Sequence, residues 1–180
     1  MSELPPLEIV IGVEEAADST AAEALLDKVF GPGRRKRTVY SFRDGITPLR
    51  ELCFAAHGSG ETRDSLVGLL RFWPARLPDG RIAALFGPLA VPPELHGRGI
   101  GRRLIRHSLA EVARQGFGGV LIVGAPDYYA PFGFGENAVR GLHLPGPAAP
   151  LTFMGLDMPG HEGFLARTPG LVTPLRSNTA

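Results

Sequence analysis

Cysteine is almost missing: Cys53 is the only one in 180 residues, so no intramolecular disulfide can form and no cysteine-based zinc site can be assembled. That usage suits a reducing, cytoplasmic setting. The neighbours Leu52, Phe54 and Ala55 place the thiol in a core-packing run. Long apolar runs are also missing, since none approaches the roughly 20 residues of a membrane span. The leading segment carries Glu3, Glu8, Glu14 and Glu15 and no apolar stretch behind a basic start, which excludes a signal peptide. Charge of one sign is lacking too. Nineteen Lys plus Arg against eighteen Asp plus Glu leave +1, too little for a global field that would hold nucleic acid or an anionic membrane. Any anion site must therefore be local. His57, His96, His107, His143 and His161 are scattered without the spacing of zinc or iron ligands, so no metal is expected.

What is present is an ordinary globular balance of 44% apolar and 21% charged residues, consistent with one folded domain around one core. Residues 9–13 are β-branched and predict a strand. A helix follows, with Thr20 and Glu23 spaced as a capping box, Ala22, Leu25, Leu26 and Val29 on one face, and Gly31-Pro32-Gly33 as its stop. Arg34-Arg35-Lys36-Arg37 reads as a solvated face, with guidance of an acidic acceptor as its functional alternative. Residues 52–56 and 66–73 predict a hairpin across Gly58-Ser59-Gly60. Ser59 near His57 lacks the strand-to-helix elbow of a nucleophile and reads as a loop residue.

Residues 82–91 predict a long strand interrupted by Gly87-Pro88, followed by a helix over 99–115 with Leu104, Ile105, Leu109, Val112 and Ala113 on one face. The run 120–123 is apolar throughout, as in strands covered on both sides. Strand, helix and strand make a βαβ crossover with parallel strands. Residues 126–134 read as a turn or a single helical turn, 144–150 as a Pro/Gly loop, and 151–158 as the last strand. The core then spans about 8–158, with 159–180 as an extension in which the pattern fades.

Between the long strand and its helix the chain reads Val91-Pro92-Pro93-Glu94-Leu95-His96-Gly97-Arg98-Gly99-Ile100-Gly101-Arg102. Three alternating glycines let an anion approach the backbone, where the first helical amides lack internal partners and carry the positive end of the helix dipole. Arg102 and Arg103 occupy the first turn with no carboxylate, a conflict with the dipole that a bound diphosphate would remove. A merely tight glycine turn is the plain alternative. A dinucleotide fingerprint would need glycine at Arg102, and a Walker loop would need Lys followed by Ser or Thr. Upstream, Pro88 and Pro92-Pro93 leave Leu89-Ala90-Val91 between two breaks in pairing, free to pair with an extended amide-bearing ligand such as pantetheine.

With Leu89-Ala90-Val91, His96-Gly97-Arg98-Gly99-Ile100-Gly101 and Tyr129-Ala130-Pro131-Phe132-Gly133-Phe134 in view, the chain resembles the GCN5-related N-acetyltransferases (GNAT), most closely their bacterial YhbS-like branch. The six residues from His96 match that family's Q/R-x-x-G-x-G/A diphosphate signature, with His96 in place of Gln or Arg. Tyr129, Gly133 and Phe134 match its Y-x-x-x-G-F. The likeness runs over about 31–158, and Gly124-Ala125-Pro126 lacks the asparagine many relatives use. It implies an α/β fold with a mixed, largely antiparallel sheet, a parallel βαβ unit around the cofactor turn, and helices on both faces. It also implies acetyl-CoA as cosubstrate, a primary amine of a small molecule or peptide as acceptor, and a cofactor site of Leu89, Ala90, Val91, Gly97, Arg98, Gly99, Ile100, Gly101 and Arg102.

Such a transfer needs a neutral amine, a stabilised oxyanion and a proton for the departing thiolate. Tyr129 is the family position for the general acid, and a phenol is still protonated at neutral pH. Glu94 and His57 are the weighed bases, Glu94 the one retained. The rival is a non-catalytic sensor of acyl-CoA with the same fold. No motif marks an oligomeric state; a homodimer is the working expectation.

Overall fold

The computed structural model describes residues 7–36, 38–58, 65–146 and 151–176. The β-branched run forms β1 (Ile9–Val13), and α1 (Ser19–Phe30) follows, buried through Ala22, Leu25 and Leu26 and closed by Gly31 at φ 78°. The expected capping box is displaced. Glu15 and Asp18 form it one turn earlier, whereas Glu23 turns sideways to Arg34 and Arg71. Arg34 of the basic run is likewise no solvated residue: it is 5% exposed and held by Glu23, Asp27 and Tyr40. A run of charge does not show which of its members has carboxylates waiting above it.

The next strands are β2 (Phe54–Gly58), β3 (Leu66–Arg76) and β4 (Ile82–Ala90), joined as antiparallel neighbours; the Ser59-Gly60 tip lies outside the described residues. After β4 come α2 (Ile100–Arg114) and β5 (Gly119–Gly124), then a single helical turn α3 (Pro126–Tyr129) and β6 (Leu142–His143). The strand expected at 151–158 is β7 (Thr152–Asp157), but it is not the last. Residues past 158 return as β8 (Gly170–Leu171) beside β6 and β9 (Thr173–Pro174) beside β3, and they bring Leu165 and Val172 into the core. Two-residue strands show no period in sequence, which is why the pattern fades there.

The sheet runs β1-β2-β3-β4-β5-β7, antiparallel except for the parallel β4–β5 pair that α2 connects. One face, with Leu70, Phe72, Ala84, Phe86, Val120 and Ile122, buries Ile100, Leu104, Ile105 and Val112 of α2. The other face covers Leu69 and Ala90 with α1, and Ala75, Leu85 and Leu121 with Leu165 and Val172. No described helix is long and apolar enough to cross a membrane.

One irregularity shapes everything near the glycine turn. The β3–β4 register passes from Leu70↔Leu89 to Phe72↔Phe86, so Arg71 alone faces Gly87 and Pro88 in a bulge. The β4–β5 ladder has only Ala84↔Val120 and Leu85↔Leu121, while β5 stays paired with β7 as far as Gly124↔Thr152. The two parallel strands therefore separate from Phe86 onward, leaving an edge of β4 facing a gap.

Candidate active site

The gap opens onto the start of α2. Gly97 and Gly99 both take positive φ, 79° and 77°, a region that costs any side-chain-bearing residue about 1–2 kcal/mol. Gly99 is the N-cap; no side chain caps the helix, and its first turn carries no acid. The first backbone bond of the helix is Arg103 N–H to the Gly99 carbonyl, so the amides of Gly99, Ile100, Gly101 and Arg102 remain as open donors. Gly101 is glycine for a different reason. A Cβ there would lie 2.7 Å from the Tyr128 hydroxyl, with Leu89 and Val91 side chains just under 4 Å away. Leu89, Val91, Gly101 and Tyr128 thus meet at one neck.

The arginines divide by direction. Arg103 reaches across to the carbonyls of Leu7 and Ile9 and ties α2 to β1. Arg102 is exposed, close enough to Tyr128 to oppose the upward pull of burial on its phenol. Arg98 has its Nε sealed from solvent without a partner. Ile100 is 1% exposed in the core, so it offers the site only its backbone. His96 folds back, its Nε2 3.0 Å from the Val91 carbonyl, and closes the turn on the end of β4.

The freedom expected for Leu89-Ala90-Val91 holds on one edge only. Leu89 and Ala90 pair with Leu70 and Leu69 of β3, Ala90 is buried under α1, and the Val91 carbonyl faces His96. The prolines interrupt the ladder toward β5, and the bulge at Gly87-Pro88 keeps the one toward β3.

Tyr129 sits on the β5 side of the gap, against Gly124, with Phe86 at 5.5 Å, Phe134 at 6.0 Å and Tyr128 at 4.9 Å between ring centroids. Burial first, then the neighbouring Tyr128 phenol, pushes its own phenol well above the usual tyrosine range. It stays protonated across the physiological range. Glu94 lies elsewhere, 58% exposed on the short turn after β4 and paired with Lys28 of α1, which holds its carboxyl below the usual range. His57 bonds Asp18 at 2.8 Å.

On the α1 face, beside the bulge, is a cavity of about 800 Å³ bordered by Glu23, Arg34, Arg43, Arg71, Trp73 and Pro88. That size falls within the range of small-molecule sites. Arg71 is held by Glu14 through two bonds and by Glu23, and Arg34 by Glu23 and Asp27. Sequence reasoning missed Arg43, Arg71 and Trp73 of this wall, having singled out only the basic run at Arg34. Arg71 left a signal, a charge inside an apolar strand; Arg43, in Ser41-Phe42-Arg43-Asp44, left none. Among the described residues no three His, Cys, Asp or Glu side chains gather as a metal set.

The fold that carries this uncapped helix start, the gap and the phenol has counterparts among known proteins. The family model for the Acetyltransferase (GNAT) family matches residues 20–134. The chain belongs to the GNAT family. This acetyltransferase is accordingly an acetyl-CoA-dependent N-acetyltransferase. It is 27% identical over 147 residues to the N-acetyltransferase YhbS of Escherichia coli, covering 81% of this chain and 84% of that one. It is 26% identical over 125 residues to Escherichia coli YjhQ, also named an N-acetyltransferase, covering 68% and 67%. The crystal structure of YhbS from Escherichia coli in complex with CoA is similar with a TM-score of 0.76 at 25% identity, over 97% of this chain and 93% of that one. A GNAT acetyltransferase from Brucella melitensis, in complex with acetyl-CoA, shares the fold with a TM-score of 0.64 at 21% identity over 92% and 95%. The mixed α/β fold, with its mixed sheet, matches GNAT structures.

Proposed function

We infer that this acetyltransferase moves an acetyl group from acetyl-CoA to the primary amine of a small molecule or peptide, through the gap between β4 and β5. The observation that carries the reading is that this gap has open amides at one end, Gly99 to Arg102, and a buried, protonated phenol on its side, Tyr129. The neutral helix amides and the Arg98 and Arg102 guanidiniums suit a diphosphate. Gly97, Gly99 and Gly101 keep side chains out of its way, and Ile100 contributes its amide. The free edge of Leu89, Ala90 and Val91, at and just past the end of β4, suits the amides of a pantetheine arm, and the similar YhbS crystal structure is a complex with CoA.

The thioester supplies an activated acetyl group. As the amine nitrogen bonds to the carbonyl carbon, the carbon–sulfur bond breaks and the sulfur leaves with its electron pair. An amide on the free edge of β4 stabilises the developing oxyanion. Tyr129 gives its proton to the departing thiolate, and the proton that the nitrogen sheds on becoming an amide passes to solvent, from which the phenolate is reprotonated. Glu94 takes no part in removing the amine's proton, because it is tied to Lys28 on the exposed turn and does not border the cavity.

The test is thiol release from acetyl-CoA across a panel of amines. Tyr129→Phe should lower kcat by about 10²-fold or more with little change in the KM for acetyl-CoA. A variant as fast as the parent across the pH range removes Tyr129 from the acid role. Acetyl-CoA binding without turnover on any amine would favour the sensor.

A further inference from the structure

Two donors on the cavity wall have no use in the acetyl-transfer machinery. Arg43 has its Nε sealed from solvent with no hydrogen-bond partner, and Trp73 has its indole Nε1 in the same state. Both border the same cavity, at the bulge where β4 leaves β5. The other two buried arginines of that wall are satisfied by carboxylates, whereas Arg43 has no ion pair among the described residues. Its guanidinium lies over Tyr40, 4.9 Å from the ring centroid, and also hydrogen-bonds it, so Nε is the donor left without a partner. Its Nη2 would stand 3.3 Å from a Cβ placed on Gly87, which fixes the guanidinium against the bulge itself. Burial pulls its pKa down to about 10, against the opposing pull of Tyr40 and with Arg34 and Arg71 adding to the fall.

Donor-only groups left unpartnered just behind a cavity wall call for an acceptor-only ligand. Guanidinium and indole N–H together suit an oxyanion, and none of the aliphatic part of an amine could satisfy them. We propose that the acceptor is a small amine that also bears an oxyanionic group, carboxylate or phosphate, and that Arg43 with Trp73 Nε1 holds this group beside Gly87-Pro88. The amine of the same molecule is thereby delivered to the place where the strands separate. This rests on the reading of the gap as the acetyl-transfer site, and it narrows the acceptor from amines in general to amino acids or amino-alcohol phosphates.

The experiment uses matched acceptors that differ only in the anion. Phenylalanine, phenylalaninamide and phenethylamine form one set; O-phosphoethanolamine and ethanolamine form the second. The parent protein should show a kcat/KM about tenfold or more higher for an anionic member than for its neutral counterpart, carried by KM. A preference in the first set identifies a carboxylate, and one in the second a phosphate. Arg43→Gln should abolish the preference, and Trp73→Phe should reduce it, so the second variant serves if the first does not fold. Equal rates within both sets, or variants that leave the preference intact, overturn the proposal. If no amine is turned over, calorimetric titration of the same compounds decides it. An anion that binds the parent and not Arg43→Gln supports the anion site while removing the acetyl-transfer reading; no anion binding overturns the site.

Discussion

Individual residues here carry consequences out of proportion to their number. Cys53 is 4% exposed, and burial pushes its thiol up to about 11. A raised folded-state value means that the associated stability is fully present below the unfolded thiol's pKa and is lost as pH climbs through the folded one. Stability should therefore fall from about pH 9 upward, by roughly 2–3 kcal/mol above pH 11. Cys53→Ser, which cannot ionise there, should flatten that part of the stability curve in denaturant titrations. If parent and variant lose stability in parallel, the thiol is not responsible. At the glycine turn, Gly99→Ala forces a Cβ into φ 77° and should raise the KM for acetyl-CoA several-fold with kcat nearly kept. At Glu94 the expected result is the opposite of a catalytic one: Glu94→Gln should leave the pH profile of kcat/KM parental, because only its surface tie to Lys28 is lost.

Among the elements, β3 is held to both α1 and β1 by one side chain. Arg71, 15% exposed, pairs with Glu14 after β1 and with Glu23 on α1. Removing it leaves Glu14, 12% exposed, without its guanidinium, so Arg71→Met should cost about 3 kcal/mol in equilibrium unfolding. A loss below about 0.5 kcal/mol, the ordinary scale of a surface substitution, would show that the pair is not what fastens the elements. The helices and strands were legible where they were long and periodic: α2 begins one residue from the expected start because its glycines and its apolar face both announce it. The bulge was legible from Gly87-Pro88, but its outcome was not. A proline shows that a ladder bond is missing; only the register shows that β3 keeps its partner and β5 loses it.

At the scale of the molecule, the site is a consequence of strand separation. One edge of β4 and the uncapped start of α2 face the same gap, so a CoA ligand should stabilise the folded protein as a whole. Acetyl-CoA at 100 times its dissociation constant should add about 2.7 kcal/mol, or roughly 5–10 °C in Tm for a chain of this size. A nicotinamide dinucleotide should give no comparable shift, and a shift with that ligand alone would contradict the site.

The proposed donor half could be drawn from sequence because its parts are contiguous or motif-borne: Gly97, Gly99 and Gly101 stand in one turn, and Tyr129 precedes Gly133 and Phe134 by a fixed spacing. Backbone conformation and helix dipoles follow from local sequence, so a local pattern suffices to determine them. The cavity wall was not readable beyond the basic run at Arg34. Glu23, Arg43, Arg71 and Trp73 come from four stretches of chain, and a buried orphan donor exists only once packing has excluded water from it. By itself the sequence determined where an anion can meet free amides. Tertiary structure decided which charges are already satisfied, that Glu94 stands beside Lys28, and that Arg43 keeps a buried Nε without a partner at the cavity wall.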